Sequence, residues 1–186
     1  VLTLVRFIED DYSTLINWID SPRLLLQWSG PHFQFPLTHE QLDRYTDGAN
    51  TIEGKKYIFK CVENNGTTIG HISLDRIDKY NGSARIGKVL IGAQNVRGKG
   101  YGEMMIRGIL QFAFQELELH KVTLGVFDFN KGAIRCYEKC GFQIEGLLRD
   151  HRKFREGEFW SMYEMGILNE EWKETQNELK AATVLL

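Results

Sequence analysis

Between residues 2 and 8 apolar and polar side chains come close to alternating, which predicts a half-buried strand. The acidic run Glu9-Asp10-Asp11 then caps a helix that carries Tyr12, Leu15, Ile16 and Ile19 on one face. Ser21-Pro22 breaks that helix, and residues 24–28 add a further turn. Gly30-Pro31-His32-Phe33-Gln34-Phe35-Pro36 follows as an aromatic, proline-punctuated loop of the kind that often touches substrate. Thr38-His39-Glu40-Gln41 is a capping box that opens a short helix to about residue 47. Residues 56–62 and 67–77 are β-branched and aromatic, with the Asn65-Gly66 signal of a tight hairpin between them. A second turn at Tyr80-Asn81-Gly82 leads into residues 84–91, and the three strands form an antiparallel meander.

The second half alternates helix and strand without a repeating period. A helix over residues 100–117 turns Met104, Met105, Ile109, Leu110, Phe112 and Ala113 mostly toward the sheet. Residues 121–127 form the next strand, 131–140 a helix stopped by Gly141, and 142–148 with 158–168 a last strand pair about Glu156-Gly157. A helical tail begins at Asn169 and frays toward its end. This order predicts an α+β domain over residues 1–170, a tail over 171–186, and a mixed, mainly antiparallel sheet of about six to seven strands flanked by helices.

Composition narrows the function classes. At 186 residues one domain can bury a sufficient core without staples. A net charge of -2 and a pI near 6.2 carry no basic footprint for nucleic acid or an anionic membrane. Cys61, Cys136 and Cys140 are odd in number, with no CxxC pair and no histidines at zinc-ligand spacing, so they read as reduced thiols and no metal is expected. No apolar run approaches membrane-spanning length, and acidic residues come too early for a signal peptide. The expectation is a cytoplasmic protein, monomeric or homodimeric.

Candidate chemistry is concentrated at Gln94-Asn95-Val96-Arg97-Gly98-Lys99-Gly100-Tyr101-Gly102, where glycines sit between an apolar strand and an amphipathic helix. Glycine lets main-chain N–H groups approach a ligand closely, and a helix start adds unpaired donors and partial positive charge, so the ligand is anionic. A P-loop is excluded because no Gly-Lys-Ser/Thr occurs. A dinucleotide fingerprint counted from Gly98 would place Glu103 at its last glycine position, its carboxylate against a pyrophosphate. Arg97-Gly98-Lys99-Gly100-Tyr101-Gly102 instead resembles the Arg/Gln-x-x-Gly-x-Gly/Ala loop of the GNAT superfamily of acyl-CoA-dependent N-acetyltransferases. Asn130, Ala133, Tyr137, Lys139, Gly141 and Phe142 are similar to that family's Asn-x-x-Ala-x-x-x-Tyr-x-Lys-x-Gly-Phe element, in the family's order and spacing.

The resemblance implies the GNAT fold, with the loop-bearing strand splayed from the strand after the long helix and acetyl-CoA lying between them. It implies that amides at Arg97, Gly98, Lys99, Gly100, Tyr101 and Gly102 hold the pyrophosphate, and that Leu90, Ile91 and Gly92 offer backbone groups to the pantetheine arm. Asn130 would bond the same arm, and Tyr137 would protonate the departing thiolate. A non-catalytic acyl-CoA sensor would tolerate loss of that acid, so the presence of Tyr137 favours an enzyme. The family's acidic residue on the strand before the loop has no counterpart, because Arg85 and Lys88 stand there; Asp75, Asp128 and His71 are the alternatives for a base.

The region of Trp18, Trp28 and residues 38–45, together with Leu147-Leu148-Arg149-Asp150, is similar to the branch containing ribosomal-protein alanine N-acetyltransferases, which also holds enzymes of polyamines and antibiotics. The implied acceptor is a peptide N-terminal amine, with a small amine or polyamine as the alternative. Trp28, His32, Phe33 and Phe35 are candidates for its walls.

Overall fold

A computed structural model describes residues 2–93 and 98–184, those from 178 onward by backbone alone. The first strand, β1, is Leu2–Arg6. The acidic run forms a short 3-10 turn, Glu9–Asp11, before α1 at Tyr12–Trp18. Asp11 fixes this corner by accepting the Ile8 N–H at 3.0 Å and the Lys60 ammonium at 2.6 Å. Where a single turn was expected after Ser21-Pro22 there is a complete helix, α2 at Pro22–Ser29. Ser21 caps it by accepting the Leu24 N–H at 3.3 Å, and proline stands in the first turn, where its missing donor costs nothing.

Helix α3, His39–Thr46, is capped by Thr38 through the Gln41 N–H. The Gln41 amide does not close the box; it reaches back to the carbonyls of Gln34 and Pro36 at 3.0 Å and pins the aromatic loop. The meander is β2 (Tyr57–Glu63), β3 (Thr68–Asp78) and β4 (Ser83–Ile91), paired antiparallel with β1 on its outer edge.

After the glycine loop comes α4, Tyr101–Gln111, extended by a π-helical turn at Phe112–Glu116. Met104, expected against the sheet, is 47% exposed, and Ile106 is buried instead. Strand β5 (Lys121–Phe127) runs parallel to β4, followed by α5 (Lys131–Lys139), β6 (Gln143–Arg155), β7 (Glu158–Leu168) and α6 (Asn169–Val184). The β6 strand continues well beyond residue 148 through an irregularity at Asp150, whose φ is 49° and whose N–H donates to Ser161 Oγ at 3.0 Å. Trp172, which the sequence reading put in the tail, is buried against Phe114.

The sheet order is β1-β2-β3-β4-β5-β7-β6, seven strands that are antiparallel except at β4–β5. One face carries α4, α5 and α6 over a core that includes Ile72, Leu74, Ile106, Ile109, Leu124 and Ile167. The other carries α1–α3 over a second cluster that includes Leu15, Trp28, Leu42, Tyr45 and Leu90. Each strand near the site thus has one apolar layer on either side.

Candidate functional site

The site originates in one extra residue on β4. Ser73 pairs with Gly87 and His71 with Leu90, so two steps on β3 answer three on β4, and Lys88 takes up the excess with φ 50°. The bulge exchanges the faces of the strand. Ala84 and Ile86 before it, and Val89 and Ile91 after it, pack on the α4 side, whereas Leu90 packs among α1–α3. Trp28 Nε1 at 2.8 Å and His71 Nδ1 at 2.9 Å both donate to the Lys88 carbonyl, which satisfies the oxygen that the bulge removes from the ladder.

Beyond the bulge β4 and β5 part. Their pairing ends at Ile86 with Leu124, while the strands run on to Ile91 and Phe127. The opening is a cleft of about 910 Å³ that brings together Leu90, Ile91, Gly98, Gly100, Tyr101, Gly102, Asn130 and Tyr137. Gly98 and Gly100 have φ near 78° and 79°, and a Cβ on either would meet open space. They leave the first amides of α4 accessible, and Tyr101 anchors the turn by donating its hydroxyl to Glu63 at 2.5 Å. Glu103 lines the cleft with its charge matched by Arg107, whose Nε donates to it at 3.0 Å.

Lys99 is exposed and is not among the cleft-lining residues, and Arg97 lies outside the described residues. Gly92 also stands apart from the cleft wall. Its N–H donates to the Ile69 carbonyl at 3.0 Å, and a Cβ there would fall 1.8 Å from the Trp18 ring, so the glycine serves close packing. Asn130 caps α5 by accepting the Ala133 N–H at 3.3 Å, which uses its carbonyl oxygen and leaves the amide nitrogen as a donor. Tyr137 is buried on the cleft side of α5, and burial pushes its phenol well above the usual range. A neutral, proton-bearing hydroxyl results. Cys136 lines the cleft beside it, and the hydrogen bond from Cys140 holds its thiol below the ordinary value.

A second cavity of about 1370 Å³ opens on the α2–α3 side and meets the cleft at Gln27, Trp28, Ile86, Gly87, Lys88, Gly125 and Phe127. Trp28, His32 and Phe33 line it, with the Trp28 and Phe33 rings stacked 5.6 Å apart; Phe35 is 44% exposed and outside the lining. Arg85 crosses β5 to form a two-pronged pair with Glu164, passing over Gly125, where a Cβ would lie 2.5 Å from the guanidinium and oblige it to shift. Of the three candidate bases only Asp75 reaches the cavity, where it accepts Ser73 Oγ at 2.7 Å and faces Lys88 at 3.4 Å. His71 is fully buried among the rings of Phe7, Trp28 and Tyr45, and burial pushes it down to about 4, so it stays neutral and structural. Asp128 lines neither cavity. Lys88 is the residue the sequence reading did not assign; Gly87 within a strand pattern was the available sign of a bulge.

An acetyltransferase (GNAT) domain model matches residues 2–143. The chain belongs to the GNAT acetyltransferase family. YokL of Bacillus subtilis strain 168, which bears the name SPbeta prophage-derived uncharacterized N-acetyltransferase, is 34% identical over 75% of this chain and 76% of its own. YdaF of the same organism, which bears the name putative ribosomal N-acetyltransferase, is 32% identical over 58% of this chain and 57% of its own. A crystal structure of spermidine N-acetyltransferase from Vibrio cholerae in complex with CoA and spermine matches with a TM-score of 0.78 at 26% identity, covering 92% of this chain and 97% of that one. This GNAT chain is therefore an N-acetyltransferase with acetyl-CoA as donor, and its sheet is the GNAT sheet. Among the described residues no group of three His, Cys, Asp or Glu side chains is arranged to hold a metal, and no helix is long and apolar enough to cross a membrane.

Proposed function

We propose that this chain acetylates a primary α-amine, such as a peptide N-terminus, by direct attack in a ternary complex. In this reading the donor occupies the β4–β5 cleft with its diphosphate against the amides of Gly98, Gly100, Tyr101 and Gly102, and its arm beside Leu90, Ile91 and Asn130. The amine enters from the second cavity. The observation that carries the reading is the junction of the two cavities at Gly87, Lys88, Gly125 and Phe127, where strands that no longer pair leave a passage through the sheet.

Attack by a neutral amine forms the C–N bond, the C–S bond breaks, the departing thiolate takes the Tyr137 proton, and the proton shed by the acylated nitrogen passes to solvent, from which Tyr137 is reprotonated. Burial keeps the phenol protonated until a thiolate forms beside it. An α-amine near 7.9 is about 2.5 units easier to neutralise than a lysine-type amine near 10.4, a difference of about 3.4 kcal/mol, and it can react without a strong base. A polyamine is the second reading, favoured by the structural likeness to a spermidine N-acetyltransferase. Release of CoA from acetyl-CoA, measured with N-terminal peptides and with spermidine, tests both. Binding of acetyl-CoA without turnover of any amine would overturn the catalytic reading in favour of a sensor.

A further inference from the structure

The charge of the acceptor cavity is opposite to that of the chain. Seven of its lining residues are Lys or Arg and three are Asp or Glu, in a protein whose net charge is -2. Two of those three carboxylates are already neutralised from within, Asp75 by Lys88 at 3.4 Å and Glu164 by Arg85. The third, Asp47, is exposed. Among the described residues no carboxylate pairs with Lys56, Arg76 or Arg152, which line the same cavity. Lys56 spends its ammonium on the Tyr45 carbonyl and ring face, and Arg152 donates only to the His151 carbonyl.

The β4 bulge is what concentrates this charge. In a regular strand residues 85 and 88 would point to opposite faces; the extra residue turns Lys88 to the side of Arg85, where its ammonium lies 4.8 Å from the Tyr45 ring centroid. Lys88 also lines the passage to the donor cleft. A polycation meets one unpaired carboxylate, the exposed Asp47, whereas an acidic group meets three unpaired cations, the half-buried Lys56 and Arg152 and the exposed Arg76.

We infer that the acceptor carries an anionic group beside its amine: an amino acid through its own carboxylate, or a peptide N-terminus followed by an acidic residue. This rests on the acetyltransferase reading above and adds the charge class of the substrate. The donor cleft imposes no such sign, so the two can be tested separately.

The experiment compares kcat/KM for CoA release with alanyl-glutamyl amide, alanyl-glutaminyl amide, alanyl-lysyl amide, free alanine, alanine amide and spermidine. The acidic dipeptide is expected to exceed the neutral one by about 10-fold or more at low salt, with the lysyl peptide and spermidine lowest, and the ratio should shrink at high ionic strength. Preference for free alanine over its amide would identify the amino-acid source; preference for the glutamyl peptide alone, the peptide source. The doubly substituted Arg76→Gln, Arg152→Gln protein should show an acidic-to-neutral ratio reduced by about 5-fold or more, a ratio insensitive to the fraction of folded enzyme. Equal rates across charge, or spermidine as the best acceptor, would overturn this inference while leaving the transferase reading intact. Acetyl-CoA binding with no amine turned over would overturn both.

Discussion

Trp28 and Lys88 are joined by a hydrogen bond from the indole Nε1 to the main-chain carbonyl at 2.8 Å, sixty residues apart in sequence. This contact couples helix α2 to the bulge beyond which β4 and β5 part. With His71 on the same oxygen, it makes the irregular backbone of β4 a satisfied structure, and so the parting of β4 from β5 is built in before any ligand arrives.

Trp28→Phe removes one of the two donors to the Lys88 oxygen and keeps an aromatic ring against Phe33. Because His71 still holds the oxygen, the cost is expected at about 1 kcal/mol, a fall in Tm of about 2–4 °C in thermal melts. An unchanged Tm would show that the indole bond contributes nothing net to the bulge.

Tyr137→Phe keeps a buried ring of nearly the same volume on α5 and deletes only the hydroxyl. Turnover is expected to fall about 100-fold while the Kd for acetyl-CoA, measured by calorimetry, changes little. Wild-type turnover in this variant would remove Tyr137 from the proton path.

The glycines at 92 and 100 separate packing from binding. Gly92→Ala drives a methyl into the Trp18 ring and should cost about 1–3 kcal/mol or more, seen as a lowered denaturation midpoint. Gly100→Asp meets open space but puts a side chain at φ 79° and a carboxylate before the α4 amides, so the Kd for acetyl-CoA should rise about 10-fold or more. If Gly92→Ala spared stability, or Gly100→Asp spared acetyl-CoA affinity, the corresponding assignment would fail.

His71 predicts an acid-sensitive fold. Burial lowers its pKa from the ordinary 6.5 to about 4, with the backbone bond to Lys88 opposing and the Lys88 charge assisting. The unfolded chain therefore takes up this proton first as pH falls. The stabilisation is complete above about pH 6.5 and is lost progressively toward pH 4, amounting to about 3 kcal/mol. Ring titration by NMR together with denaturant melts between pH 7 and 4.5 checks this, and a His71 pKa above 6 would contradict it.

The order of the strands, the hairpin at Asn65-Gly66, the cap at Thr38 and the two motifs that identify the family are local patterns, legible because propensity, capping and periodicity act over a few residues; Ser21-Pro22 read as a helix breaker, and its capping of α2 was missed. Gly98, Gly100 and Asn130 belong to this group: a loop before a helix and a residue at its cap have the same local meaning in the folded chain. Gly92 looked similar in sequence, yet its reason is a tryptophan ring from α1, which no local pattern announces.

By itself, then, the sequence determined most of the elements, the α+β class and the glycine turn before α4, since these depend on neighbours along the chain. Tertiary structure decided which way β4 faces after Lys88, which of the candidate bases reaches the cavity on the α2–α3 side, and that Asp75 and Glu164 there are matched by Lys88 and Arg85. Those outcomes depend on pairing register and on charges brought together from distant strands. A single extra residue in a ladder reverses every side chain beyond it, and its position is set by the partner strand.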